Sequence, residues 1–131
     1  MLADTGPLYA PQDERDEHHQ RASEQLAILT EEGFEVVVCQ PVLLESHTLL
    51  LHRLGVEVAQ TYLEALRSGS AFLGAAPEDV ATALDRTARF SDQPITLTDH
   101  VVAVLSERLG LAIWTFDHHF HVLTAELWQA E

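Results

Sequence analysis

Four short apolar runs, at residues 1–5, 34–39, 71–73 and 111–116, alternate with longer segments of helical periodicity, and this alternation constrains the chain more than any other feature. Met1-Leu2-Ala3-Asp4-Thr5 stops at Gly6-Pro7 and reads as a strand ending in a turn, which puts Asp4 at its carboxyl end. Residues 13–32 read as a helix, with Ala22, Leu26 and Leu29 on one face, acids in the first turn and Gly33 past its end. The β-branched run at 34–39 suits a buried parallel strand, and Pro41 marks the start of the next helix. Helices are expected at 41–54 and 56–67, broken at Gly55 and closed by Ser68-Gly69-Ser70. Another is expected at 77–90, with Val80, Leu84 and Ala88 as its apolar stripe. A last one at 99–109 carries Val101, Val102, Leu105 and Leu109, with Thr98 as N-cap and Gly110 just beyond.

Strands separated by helices imply a parallel sheet covered on both faces, joined by right-handed crossovers. The expected fold is therefore α/β, a three-layer α/β/α sandwich. In such sheets the working site lies outside the carboxyl ends of the strands, where strand order reverses, and Asp4 and Asp117 both fall at such ends. A length of 131 residues, 47% hydrophobic, fits a single domain spanning 1–131. No run has the length of a membrane span and the amino-terminal segment lacks the pattern of a signal peptide, so the expected location is the cytoplasm. Cys39 is the only cysteine, and its place in Val36-Val37-Val38-Cys39 reads as a buried thiol rather than a nucleophile.

The chain holds 21 Asp and Glu against 7 basic residues, all of them arginine, for a formal net charge of -14. Phosphate backbones are usually gripped by basic patches, so this balance argues against tight non-specific nucleic-acid binding and requires any RNA to be held locally. Metal ions can reverse the sign of an acidic cleft, and a basic partner protein would be drawn to such a surface. Composition taken alone favours simple solubility over either.

Four acids sit beside buried sequence: Asp4 after an apolar strand, Glu45 in Pro-Val-Leu-Leu-Glu-Ser, Asp99 after Thr-Leu-Thr, and Asp117 in Ile-Trp-Thr-Phe-Asp. If they converge they repel one another, and a divalent cation is the usual reason such a cluster is tolerated. Mg²⁺ takes one or two carboxylates, and two-metal sites activate water and stabilise the leaving oxygen of a phosphodiester. Each acid also has a plain alternative: a turn for Asp4, a first helical turn for Glu45, a position beside an N-cap for Asp99, a loop opening for Asp117.

Read in order, Leu-Ala-Asp-Thr-Gly-Pro-Leu-Tyr at 2–9, Pro-Val-Leu-Leu-Glu-Ser at 41–46, Ile-Thr-Leu-Thr-Asp-His at 95–100 and Trp-Thr-Phe-Asp-His-His-Phe at 114–120 resemble the motifs of the PIN-domain family, especially its VapC-type toxins. The resemblance spans nearly the whole chain. It implies that Asp4, Glu45, Asp99 and Asp117 are metal-binding catalytic acids and that Thr115 is the hydroxyl orienting them. Asp92 occupies a place where the family often has an acid. The resemblance further implies four or five parallel strands and a Mg²⁺- or Mn²⁺-dependent endoribonuclease acting on RNA, the toxin of a toxin–antitoxin pair. Homodimerisation and inhibition by a cognate antitoxin belong to the same expectation. The chemistry expected is hydrolysis without a covalent intermediate. Ser46 and Thr98 join Thr115 as candidate supports for the acids, and Arg15 and Arg21 on the following helix are expected to pair with acids one turn away rather than with RNA.

Other readings have specific marks against them. Eight histidines invite a zinc site at His118-His119-x-His121 with His18-His19, but adjacent histidines are expected to diverge, and no Cys pair or His-Glu-x-x-His helix completes it. His47 and His52 lie about 140° apart around a helix and cannot easily share an ion. A phosphotransfer domain on a flavodoxin-like sheet also places an Asp after its strands, but this chain has no lysine to meet a phosphoryl group. A PIN-like fold serving only as a protein-binding subunit would keep the acids without catalysis, and the net charge of -14 favours that reading.

Overall fold

The computed structural model describes residues 1–130. Its elements run β1 (Leu2–Ala3), α1 (Thr5–Tyr9), a 3₁₀ turn (Ala10–Gln12), α2 (His19–Glu31), β2 (Val37–Cys39), α3 (Gln40–Leu54), α4 (Val56–Gly69), β3 (Ala71–Leu73), α5 (Pro77–Arg89), α6 (Leu97–Leu109), β4 (Ile113–Trp114) and α7 (His119–Val122). The four strands form one all-parallel sheet in the order β3-β2-β1-β4, flanked by helices, as the alternation of runs predicts. Leu2 is in register with Val37 on one side and Ile113 on the other. A single parallel bridge from Ile113 to Leu127 extends the sheet past β4.

Strand order reverses between β1 and β4. The chain leaves β1 at Asp4 and β4 at Thr115, so the two carboxyl ends that flank the reversal carry the first and last of the motifs. Their alignment is rigid, because the Asp4 amide donates to the Trp114 carbonyl at 2.9 Å and the Leu2 amide to that of Ala112 at 2.8 Å. Beneath this edge Leu2, Ala3, Leu105, Ile113, Trp114 and Phe120 are all buried. Cys39 is buried too, and burial pushes its thiol up, which fits a packing role.

The strands are shorter than the apolar runs that contain them, for local reasons. Gly6-Pro7 opens α1 instead of a turn, because Pro fits the first turn of a helix, where no amide is needed. Residues 34–36 are drawn off by the end of α2: the Gly33 amide bonds the Thr30 carbonyl at 3.2 Å and the Phe34 amide the Leu29 carbonyl at 2.9 Å, with Gly33 at φ 74°. That Schellman cap needs the left-handed residue glycine provides. The helix expected from residue 13 starts instead at His19, because Asp13 and Asp16 accept the amides of Arg15 and His18 and hold residues 13–18 in turns. Arg15 therefore lies outside the helix. α4 continues to Gly69, through the expected turn.

Helix α5 is rolled relative to its expected stripe. Asp79 and Ala83 are its buried residues, while Leu84 is 53% exposed. The cause is electrostatic: Asp79 accepts the Ala76 amide at 2.9 Å and both Nε and Nη2 of Arg108 on α6, at 2.7 and 2.9 Å. A carboxylate that caps its own helix and forks onto a neighbouring guanidinium fixes the helix orientation more firmly than one exposed leucine. The Arg108 guanidinium holds the Asp79 carboxyl below the usual aspartate range. Its stabilisation is thus present at neutral pH and is lost as pH falls through that depressed value. Asp79→Asn is expected to cost roughly 1–3 kcal/mol at pH 7. The gap to wild type should close in urea melts at acid pH, where the wild-type carboxylate is itself protonated.

Candidate metal centre

The carboxyl ends of β1 and β4, the first turn of α6 and the second turn of α3 open into one cleft of about 300 Å³. Asp4, Glu45, Asp99 and Asp117 all line it, so four acids separated by as much as 113 positions in sequence meet at the strand reversal. Asp4 is buried and arrives directly from β1. Thr115 bridges two of the acids, donating its hydroxyl to Asp4 Oδ2 at 2.8 Å and accepting the Asp117 amide at 2.9 Å. Glu45 is held from outside its own helix by the Thr5 hydroxyl, which donates to Oε2 at 2.9 Å.

Asp99 has two tasks. It is the third residue of α6, where its amide donates to Thr96 Oγ1 at 3.1 Å and its Oδ2 accepts the Thr96 amide at 3.3 Å. Thr96, not Thr98, is therefore the N-cap, two residues earlier than expected, because only position 96 can complete a capping box with an acid at 99. The box fixes the Asp99 side chain at the cleft.

The electrostatics of this cleft are unbalanced. Burial, reinforced by the charges of Asp99 and Asp117, pushes Asp4 up to about 7 despite the hydrogen bond from Thr115. Asp99 is raised from the ordinary aspartate value, again chiefly by burial, with Asp117 and Glu45 adding to it. Among the described residues no Arg lines the cleft. An all-oxygen set of crowded carboxylates without a guanidinium partner suits a hard divalent ion, which would relieve the repulsion and the desolvation together.

Several expected members are elsewhere. Ser46 is buried, its hydroxyl donating to the Leu43 carbonyl and accepting from the Tyr62 hydroxyl, so it supports α3 against α4 rather than an acid. Thr98 and Asp92 do not line the cleft, and Asp92 lies exposed in the turn before α6. Arg21 stacks its guanidinium over the Phe116 ring, 4.7 Å from the centroid, in place of an acid one turn away. His100 is buried beside Phe90, and burial lowers its ring below the usual histidine value.

The residues that sequence reasoning missed are Thr5, Thr96, Asp16 and Phe116, all at the cleft, and His18, weighed only as a zinc ligand, lines it too. Thr96 was signalled by the Thr-x-x-Asp spacing of a capping box and Thr5 by its adjacency to Asp4. His18 stacks on Phe116 with ring centroids 4.6 Å apart, a contact between distant segments that no local pattern encodes.

Comparison with known proteins bears on the fold that positions this cleft. A family model described as PIN domain matches residues 1–126. No curated protein matches the chain in sequence. Among solved structures it is similar to VapC20 from Mycobacterium tuberculosis, described as a Sarcin-Ricin loop cleaving toxin, at 20% identity and a TM-score of 0.84 over 98% of both chains. It is similar to VapBC2 from Rickettsia felis, bound to a DNA fragment from its promoter, at 13% identity and a TM-score of 0.75 over 98% of this chain and 96% of that one. FitAcB from Neisseria gonorrhoeae is similar at 17% identity and a TM-score of 0.71, with the same coverage. At these identities the structures speak for the fold alone, whereas the family match extends from the first strand past the last: the chain belongs to the PIN domain family.

Proposed function

We propose that this chain, acting as one domain, is a Mg²⁺- or Mn²⁺-dependent endoribonuclease, the toxin of a toxin–antitoxin pair. The observation that carries the reading is the convergence of Asp4, Glu45, Asp99 and Asp117 on one cleft with no arginine among its described lining residues. Membership of the PIN domain family and a fold like that of VapC20, described as cleaving the sarcin-ricin loop, support RNA as the substrate. The resemblance to VapC-type toxins supports a cognate antitoxin and a homodimer. None of the described helices is long and apolar enough to cross a membrane, which accords with action on RNA in the cytoplasm.

In this reading Asp4, Glu45, Asp99 and Asp117 would hold a divalent ion, which when bound would supply charge neutralisation and a water of lowered pKa. The protein supplies orientation. Thr115 holds Asp4 and the Asp117 backbone in one frame, Thr5 aims Glu45, and the capping box aims Asp99. Without an ion, Asp4 retains a proton to about pH 7, so cation and proton compete for the same oxygens.

The test is cleavage of a panel of structured and single-stranded RNAs in Mn²⁺, Mg²⁺ or EDTA by wild type, Asp99→Asn and Thr115→Val. Cleavage is expected only with metal, reduced at least about 100-fold in Asp99→Asn and roughly 10- to 100-fold in Thr115→Val. Equal activity in EDTA, or in Asp99→Asn, would overturn the proposal.

A further inference from the structure

Beside the acid cleft the chain turns sharply as it enters α7. Asp117 Oδ1 accepts the His119 amide at 2.9 Å, and this turn brings the two adjacent imidazoles together, with ring centroids 4.3 Å apart and planes tilted by 36°. Adjacent histidines diverge in an extended segment; here they do not. His119 Nδ1 lies 2.9 Å from Asp117 Oδ1, and His118 Nδ1 lies 4.0 Å from the same oxygen. One ligand atom from each of Asp117, His118 and His119 falls within 4.8 Å of the others. The other pair expected to join them is engaged elsewhere: His18 stacks on Phe116, and His19 Nδ1 bonds the Ala10 carbonyl at 2.8 Å.

We propose that Asp117, His118 and His119 form a second metal site, selective for a borderline transition ion of the Zn²⁺ class and distinct in donor chemistry from the all-carboxylate cleft. Two imidazoles and one carboxylate are the donor set zinc prefers, while Mg²⁺ favours oxygen throughout. Bonds of about 2.0–2.1 Å to one ion place ligand atoms roughly 3.3 Å apart, so the His119–Asp117 spacing is nearly right as it stands. The longer His118 spacing closes by rotation of a side chain that is 81% exposed and therefore free to turn. Solvent can fill the remaining coordination position.

The two sites share one residue. Asp117 lines the acid cleft as well, so an ion drawn to the histidine side pulls its carboxylate away from the other three. On the nuclease reading, which this consequence rests on, zinc is an inhibitor that acts in the presence of excess Mg²⁺. The binding claim itself needs no nuclease activity.

The experiment is calorimetric titration of Zn²⁺, with Co²⁺ absorption as a spectroscopic probe, into the full chain held in saturating Mg²⁺. Wild type, His118→Ala and His119→Gln are compared, with His47→Ala as a control on another helix. Wild type is expected to bind one Zn²⁺ at least tenfold more tightly than either His118→Ala or His119→Gln. Co²⁺ should give a visible spectrum with nitrogen coordination that both variants lose and His47→Ala keeps. RNA cleavage in Mg²⁺ should be inhibited by Zn²⁺ in wild type and resist it in His118→Ala, with unchanged activity before zinc is added. Zinc affinity unaltered in His118→Ala and His119→Gln would overturn the site. An RNA-inactive protein whose zinc binding still depends on both histidines would uphold the site while ending the nuclease reading.

Discussion

In the absence of metal, Asp4→Asn is expected to be more stable than wild type at pH 8 and nearly equal to it at pH 4, while losing RNA cleavage by about 100-fold or more. The sign follows from the raised carboxyl. Folding lifts Asp4 from the ordinary aspartate value to about 7, so between those values the folded chain binds a proton that the unfolded chain has released. Stability therefore falls as pH rises through that window, and above pH 7 the folded protein carries a buried charge. Asparagine has the same shape and can still accept the Thr115 hydroxyl, but it never ionises. The difference at pH 8 should be on the order of 1–4 kcal/mol, measured by urea unfolding in EDTA. Added Mn²⁺ should reverse the ranking, because wild type gains binding energy that the variant has forfeited. A variant less stable than wild type at pH 8 without metal would mean that Asp4 is already neutralised within the protein.

The second large effect is expected from Trp114→Ala. Trp114 is buried in β4, donates Nε1–H to Gln25 Oε1 at 2.8 Å and meets Trp128 edge to face at 6.5 Å. Truncation removes those contacts and leaves a cavity under the sheet edge, for a loss of about 3–5 kcal/mol. In a domain of this size that is roughly 10–20 °C in melting temperature. The damage should reach the site, because the Trp114 carbonyl receives the Asp4 amide and the next residue is Thr115. Metal affinity should fall with stability in Trp114→Ala and be largely preserved in Trp114→Phe, which keeps an aromatic ring in the core. Thermal melts paired with Mn²⁺ titrations would separate the two.

The α/β order was legible because each strand is an apolar run bounded by glycine, proline or a helix start, and because Asp4 and Asp117 follow such runs directly. Convergence of the four acids follows from strand order, which local pattern does not encode. The motif resemblance supplied that link. What stayed hidden was decided by partners distant in sequence. In sequence Asp79 is one more acid at a helix start, and Arg108, 29 positions away, explains why α5 buries it and exposes Leu84. By sequence Ser46 reads as a support for an acid, whereas its Oγ accepts the Tyr62 hydroxyl from α4. The two neighbouring histidines looked divergent because the amide of the second binding Asp117 is a property of the turn, not of the residue types.

The capping box at α6 shows how one residue serves fold and site together. Asp99 satisfies the amide of Thr96 while presenting its carboxyl to the cleft, so the helix start determines where the acid stands. Asp99→Asn would keep a side-chain oxygen for the Thr96 amide and remove a charge from the cleft, which separates the structural contribution from the chemical one.

The central claim is that the four carboxylates form a single divalent-ion site, and its most direct measurement is a calorimetric titration of Mn²⁺ into the folded protein at pH 7.5, with Asp4→Asn and Asp99→Asn alongside. The account predicts saturable binding to wild type that weakens at least tenfold in each variant and declines as pH drops below 7, where the proton on Asp4 competes. Binding that is absent in the folded wild-type protein, or equally strong in both variants, would contradict it.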